Sequence, residues 1–194
     1  MREISPAVNL SCEELLAIAP NTKPKVGQIR AQKLAGIRIL PSSSIEDLSS
    51  VLDTTLRAAL LDRVATLVDE NLFGRSEMCQ QFALLLGRAL VYKGLPAKVV
   101  AGEAVYYNKG LKVFSWRHAW VCVETEAIDG NVDSLWENPA VPSNVRCRPY
   151  WGPIKQIPVD RKLRRDHTAT VPADPDVEAF WWPELEQWLH ENTS

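Results

Sequence analysis

Gly94 separates two kinds of hydrophobic pattern in this chain. Before it, apolar residues recur every three or four positions, which is typical of amphipathic helices. After it, β-branched and aromatic residues are dense as far as Val123, which favours strands. The chain is therefore expected to form helices first and antiparallel strands second, in an α+β fold.

Two helices are expected before Gly94. The first should be long, with Ser44 as its N-cap and an apolar face of Leu52, Leu56, Leu60, Val64, Leu67 and Val68. The second should begin at the N-cap Ser76 and bury a stripe of Cys79, Phe82, Ala83, Leu86 and Leu90. Cys79 then lies at about the third position of its helix.

Three strands are expected after Gly94. Turns at 108–110 and at 124–125 divide this region into segments 95–107 and 111–123 and a short strand that ends at Ile128-Asp129. Sequential strands joined by short turns pair antiparallel, so the three segments form a meander on which the helices pack.

The 194 residues are expected to form one domain with a helical extension (1–44), a core (45–138) and a proline-rich wrap (139–194). In the extension, Ser11 and Glu14 form a capping box, and a short helix runs from about Val26 to Ala35. Eight of the thirteen prolines lie between 139 and 183, so this part should be irregular and wrap the core without extending it. A terminal helix should dock on the core through Phe180, Trp181, Leu185, Trp188 and Leu189.

Composition excludes several classes of function. The net charge is -2, and the one dense basic stretch, 161–165, is followed at once by Asp166. A solvated loop or helix face is expected there, and no nucleic-acid partner is expected. No apolar run approaches the ~18 residues of a membrane helix, and no secretion signal is visible, so a cytoplasmic protein without a membrane partner is expected. No pattern indicates an oligomeric state.

The four cysteines, Cys12, Cys79, Cys122 and Cys147, are expected to be free thiols. No Cys-x-x-Cys pair is present, and His118 with Cys122 would supply only two ligands, so neither a metal nor another cofactor is expected.

Cys79 is the candidate nucleophile. Helix N-termini carry unpaired amide protons and the positive end of the helix dipole, which lower the pKa of a thiol and can stabilise an oxyanion. Cys79 also lies on the apolar face of its helix, so taken alone it is compatible with a cysteine buried in the core.

His118 and Asp129 are the candidate base and its orienting group. A histidine can take the thiol proton and return it to a leaving group, since its pKa lies near neutral. The turn at 124–125 returns Asp129 to the neighbourhood of His118, where a carboxylate can hold the imidazole. Asp133 is the alternative orienter, because the sequence does not fix the strand register to within a few residues. Asp129 and Asp133 are also compatible with ordinary turn residues.

The order of these motifs resembles the transglutaminase-like (papain-like fold) superfamily. The resemblance rests on Cys79 at a helix start, Gly-Leu-Pro-Ala-Lys-Val-Val-Ala-Gly at 94–102, His-Ala-Trp-Val at 118–121 and Ile-Asp-Gly at 128–130, about a third of the chain. The short hairpin between His118 and Asp129 is closer to compact bacterial members, including leader-processing peptidases of lasso-peptide pathways. The resemblance implies a helix that starts at the nucleophile, followed by a small antiparallel sheet that bears the His and the Asp.

The expected activity is attack by Cys79 on an amide bond of a peptide or protein to give a thioester. Hydrolysis would make the protein a cysteine peptidase or amidase. The alternatives are a transglutaminase or acyltransferase, a glutamine deamidase, and an inactive binding module of the same fold. No glutamine stands five or six residues before Cys79, so Gln80, Gln81, Trp116 and Trp120 are the candidates for a side-chain oxyanion donor or pocket residue.

Overall fold

The two hydrophobic patterns on either side of Gly94 form the expected helices and strands of an α+β fold. The computed structural model describes residues 27–69, 74–138, 141–142 and 144–192. The helices are α1 (27–34), α2 (Thr54–Val68), α3 (Cys79–Tyr92) and α4 (Trp182–Asn192). The strands are β1 (Glu46–Asp47), β2 (Ala97–Asn108), β3 (Leu111–Val123), β4 (Glu126–Asp129), β5 (Tyr150–Pro153) and β6 (Arg161–Arg165).

The strands form one six-stranded sheet in the order β1-β5-β4-β3-β2-β6. The β1–β5 pair is parallel and the others are antiparallel. The predicted meander of β2, β3 and β4 is confirmed. Its first turn uses Lys109 and Gly110, both at positive φ, as a tight hairpin requires.

The prediction that the proline-rich part does not extend the core is wrong, because β5 and β6 join the sheet on either side of the meander. Pro149 and Pro158 stand just before these strands, and Pro153 closes β5. Proline is tolerated at strand ends, so the residues between the prolines keep the amide donors that the sheet needs.

The long helix α2 begins later than predicted. Its N-cap is Asp53, whose carboxylate accepts hydrogen bonds from the amides of Thr55 and Leu56. Ser44 instead ends a 3-10 turn, Pro41–Ser43, and is followed by β1. Leu52, the first residue of the predicted apolar face, has a φ of 63° and so lies outside the helix, and Asp53 is the first capping side chain after it.

Helix α1 agrees with the short helix predicted near Val26 to Ala35, and Gly36 follows it at a φ of 74°. The predicted capping box of Ser11 and Glu14 lies outside the described residues. In the part of the chain that the structure describes, no helix is long and apolar enough to cross a membrane.

The main core lies between the sheet and helices α2, α3 and α4. Helix α4 docks on this core as predicted, but Phe180 is 66% exposed and does not belong to its docking face. A π-helical turn, Val177–Trp181, precedes α4 and changes the residue spacing there. The buried face consists of Val177, Trp181, Trp182, Leu185 and Leu189, with Trp188 packed at its margin.

Candidate active site

Cys79 is the first residue of α3. The predicted N-cap, Ser76, lies within a turn closed by a hydrogen bond from the Met78 amide to the Arg75 carbonyl, so the helix starts later than expected. Met78 occupies the N-cap position and contributes no side-chain hydrogen bond to the helix. The first amides of α3 therefore receive no capping side chain, and the positive end of the helix dipole lies at Cys79.

His118 and Asp129 lie side by side, as predicted from the hairpin. Their atoms Nε2 and Oδ1 are 2.7 Å apart, and both side chains are almost completely buried. Since an ionised carboxylate only accepts, Nε2 carries the proton and donates it to Asp129. The other ring nitrogen, Nδ1, is left for the thiol.

Close packing fixes the end of β4. Asp129 is the last residue of β4, where it pairs with Tyr150 of β5 one position beyond the last residue that pairs with β3. Gly130 follows, and a Cβ atom there would lie 2.7 Å from Phe82 and 2.8 Å from Leu61. Only glycine allows the backbone to approach α2 and α3 this closely, and this approach places Asp129 beside the start of α3.

The Cys79 thiol and the His118 imidazole lie close enough for each to shift the pKa of the other. Burial is the largest influence on the pKa of Cys79 and raises it. The hydrogen bond and charge of His118, together with the backbone amide of Ala119, outweigh burial and hold the pKa of Cys79 below its ordinary 9.0.

The pKa of His118 moves in the opposite direction. Burial lowers it, but the charge and hydrogen bond of Asp129 and the contact with Cys79 raise the pKa of His118 above its ordinary 6.5. A lowered thiol pKa beside a raised imidazole pKa favours a thiolate–imidazolium pair near neutral pH.

Arg161 is a member of this site that the sequence analysis missed. From β6, its Nη1 donates to Asp129 Oδ2 at 2.7 Å, while its other nitrogens donate to Asp160 and to the Arg148 carbonyl. Arg161 is only 2% exposed. Its stretch of basic residues was predicted to be solvated. The only sequence signal for a buried Arg161 was strand alternation, which places its side chain on the same face as that of Leu163.

The alternative orienter, Asp133, lies in a different cluster. The Arg75 guanidinium holds both of its oxygens, at 2.8 and 2.6 Å, and the same Arg75 also donates to Asn131. Of the two acids, Asp129 is therefore the one that His118 contacts.

The candidates for an oxyanion donor are spread around the site. Gln80 directs its amide to the Pro172 carbonyl at 3.4 Å, and Gln81 donates to Asp174 at 2.9 Å. Trp120 is buried and stacks with His118 at a ring distance of 6.2 Å. Trp116 packs on Phe114 along the same strand and lines a surface cleft. None of these side-chain contacts directs a donor at Cys79, which leaves the first amides of α3 as the better-placed donors.

The other described cysteines differ from Cys79. Burial raises the pKa of Cys122, and burial raises the pKa of Cys147 to about 12. Neither thiol therefore shares the activation of Cys79. Cys12 lies outside the described residues. Among the residues that the structure describes, no group of three or more His, Cys, Asp or Glu side chains is arranged to hold a metal ion.

Comparisons with known proteins add little to this geometry. No protein-family model matches the chain, and no curated protein matches it. One solved structure, the crystal structure of a genomics target, is 16% identical, with a TM-score of 0.44 over 75% of this chain and 76% of the other. A similarity of this size indicates neither a shared fold nor a shared function.

Proposed function

We propose that this protein is a thiol-dependent hydrolase of amide bonds, a cysteine peptidase or amidase of the transglutaminase-like type. Cys79 acts as the nucleophile, His118 as acid and base, and Asp129 as the orienter of His118. The observation that carries the proposal is the buried chain of hydrogen bonds from His118 through Asp129 to Arg161, with the Cys79 thiol beside His118.

The opposite pKa shifts of Cys79 and His118 support an activated thiol. A thiolate reacts with a carbonyl carbon where a neutral thiol does not. A structural cysteine in an apolar core would have a raised pKa, as Cys122 and Cys147 do. Such a combination of nucleophile, base and orienter is the arrangement that covalent catalysis requires.

In the first half of the proposed reaction, the thiol proton moves to Nδ1 of His118 and Sγ of Cys79 attacks the amide carbonyl carbon. The carbonyl oxygen becomes an oxyanion, which the amides at the start of α3 stabilise. The C–N bond then breaks as His118 donates its proton to the leaving amine. The products of this half are a thioester on Cys79 and a free amine.

In the second half, His118 takes a proton from water and the resulting hydroxide attacks the thioester. The C–S bond breaks, the carboxylic acid leaves, and the proton on His118 returns to the sulfur. Asp129 stays ionised throughout and stabilises the imidazolium, while Arg161 holds the second carboxylate oxygen and so fixes the direction of the first.

The order of secondary structure supports the transglutaminase-like part of the proposal. A helix that begins at Cys79 is followed by β2, β3 and β4, with His118 on β3 and Asp129 at the end of β4. This is the arrangement that the sequence resemblance implies for that superfamily.

The fate of the thioester separates this proposal from its alternatives. Attack by an amine would make the protein a transglutaminase or acyltransferase, and water on a glutamine thioester would make it a deamidase. Hydrolysis of a main-chain or terminal amide needs no second substrate site. A binding module would form no thioester.

The test is incubation of the full chain with a mixture of peptides that contain all residue types, followed by product mass spectrometry. Peptide cleavage that is absent with Cys79→Ala and with His118→Ala supports a peptidase. A glutamine converted to glutamate, or two peptides joined with loss of ammonia, would replace hydrolysis by the corresponding alternative. No product of any kind, with a Cys79 that resists alkylation in the folded protein, would overturn the proposal.

A further inference from the structure

A cleft lined mainly by polar and charged residues lies on strands β2, β3 and β6. Its volume is about 370 Å³, and it is lined by Gly102, Glu103, Ser115, Trp116, Arg117, Arg164 and Asp166. Two of its lining residues are direct neighbours of His118: Arg117 precedes it on β3, and Gly102 is its partner on β2. The cleft therefore lies next to the strand position of His118.

The position of Arg117 relative to Cys79 follows from strand alternation. Arg117 and Ala119 project from the same face of β3, and the Ala119 side chain belongs to the core cluster against which Cys79 packs. Two residues along a strand span about 7 Å. The Arg117 guanidinium can thus reach a group one or two peptide residues away from a carbonyl carbon bound at Cys79.

The segment 166–174 connects this cleft with the start of α3. At one end the Asp166 amide donates to the Ala101 carbonyl, and at the other Gln80 and Gln81 bind Pro172 and Asp174. An extended substrate that spans the cleft and Cys79 would run beside this segment.

The charged side chains of the cleft differ in whether they have a hydrogen-bond or ion-pair partner. Glu103 pairs with Arg164 at 3.4 Å, and Asp166 accepts from the hydroxyl and amide of Thr168. Arg117 is exposed and lies opposite Glu103 in the β2–β3 pair, but it makes no hydrogen bond or ion pair with any of the described residues. Its donors are therefore the ones left for a ligand.

We propose that this cleft binds the substrate, and that Arg117 selects a peptide with a carboxylate side chain within about two residues of the bond that is cleaved. This inference rests on the proposed function. A guanidinium presents parallel N–H donors that match the two oxygens of a carboxylate. Trp116 is the one large apolar side chain in the lining, so the cleft favours polar segments over bulky apolar ones.

The test uses peptidyl acyloxymethyl ketones, which alkylate an active-site thiol after binding as a peptide. Three series carry Asp, Asn or Lys at the first, second or third residue from the ketone, and the rate constant for labelling of Cys79 is measured by mass spectrometry. In the wild-type protein, Asp should be preferred over Asn at one of the first two positions by roughly two- to fivefold, the range expected of an exposed ion pair.

Three variants give the comparison. Arg117→Gln should abolish the preference for Asp, and Arg117→Lys should retain part of it. Arg165→Gln is the matched control, because Arg165 carries the same charge on β6, follows the cleft residue Arg164 and alternates to the other face of the sheet. The control should leave the ratio of Asp to Asn unchanged.

Any of three results would overturn the assignment of the cleft: equal effects of Arg117→Gln and Arg165→Gln, a preference for Lys, or no labelling by any peptide probe. These results leave the proposed function intact as long as iodoacetamide still labels Cys79 selectively. A Cys79 that reacts with neither kind of reagent in the folded protein would instead contradict the proposed function itself.

Discussion

Arg161 binds the oxygen of Asp129 that faces away from His118. The Nη1–Oδ2 distance is 2.7 Å, equal to the distance between His118 Nε2 and the other oxygen, Oδ1. The carboxylate is thus held between two cationic groups in a buried site, and burial alone would raise its pKa. With both partners present, the pKa of Asp129 lies below its ordinary 3.8, so the acid stays ionised wherever His118 can be protonated.

Replacing Asp129 by Asn should slow the reaction of Cys79 with iodoacetamide at pH 7 by about tenfold, equivalent to one pKa unit. The imidazolium loses its counter-charge, and the influence of His118 on the thiol pKa is larger than the direct repulsion of the thiolate by Asp129. The measurement is the labelling rate of Cys79 as a function of pH, which should show a raised midpoint. An unchanged profile would remove Asp129 from the proposed triad.

Asp133→Asn is the matched control for that substitution. It should destabilise the fold by about 3–5 kcal/mol, because a buried pair with Arg75 loses one charge. Urea unfolding measures this cost. The midpoint of Cys79 labelling should stay at its wild-type value in protein that remains folded; a shift as large as that of Asp129→Asn would make Asp133 the orienter.

The role of Arg161 can be separated from simple stability. Arg161→Met leaves Asp129 and Asp160 without their buried counter-ion and should cost about 3–5 kcal/mol of unfolding free energy. Arg161→Lys keeps the charge but loses the forked geometry, so it should recover part of the stability. If Arg161 positions Asp129, the labelling rate of Cys79 at pH 7 should also fall in the Met variant and recover partly in the Lys variant. A loss of stability with an unchanged labelling profile would restrict Arg161 to a structural role.

The His118–Asp129 pair should make stability depend on pH at both ends. The folded-state pKa of Asp129 is lowered, so its contribution is present above pH 3.8 and is lost as the pH falls through the folded value. The folded-state pKa of His118 is raised, so its contribution is full below pH 6.5 and is lost as the pH rises through the folded value. The wild-type advantage over a His118→Gln/Asp129→Asn double variant should therefore be largest between pH 3.8 and 6.5, measured by urea unfolding. A difference that does not vary with pH would show that the two groups are not coupled to folding.

Much of the fold could be predicted because its signals are local. The helical period before Gly94 and the turns at 108–110 and 124–125 define α2, α3 and the β2–β4 meander without reference to distant residues. The same hairpin brings His118 to Asp129, since only a short turn separates their strands.

The remaining strands could not be predicted for the opposite reason. β1, β5 and β6 are two to five residues long and pair with strands far away in the sequence, and prolines surround two of them. Their pairing depends on which sheet edges the finished meander leaves open. The role of Arg161 in the site was not predicted for the same reason. An arginine in a basic stretch looks solvated until its strand is placed against β2.

The start of α3 shows a further limit. Capping rules favoured Ser76, yet the helix begins at Cys79 with no side-chain cap. A cap would occupy the amides that the proposed reaction leaves for the oxyanion, so the missing cap is consistent with a functional demand that overrides local preference.

The most direct test of the central claim is the pH profile of alkylation by limiting iodoacetamide, with peptide mass spectrometry to follow each cysteine. Cys79 should react selectively with an apparent pKa below 9.0, while Cys122 and Cys147 react only at higher pH, and His118→Ala should raise the midpoint of Cys79. If Cys79 reacts no faster than Cys122 and Cys147, or is protected until the protein unfolds, Cys79 is a structural cysteine and the proposed enzyme activity is contradicted.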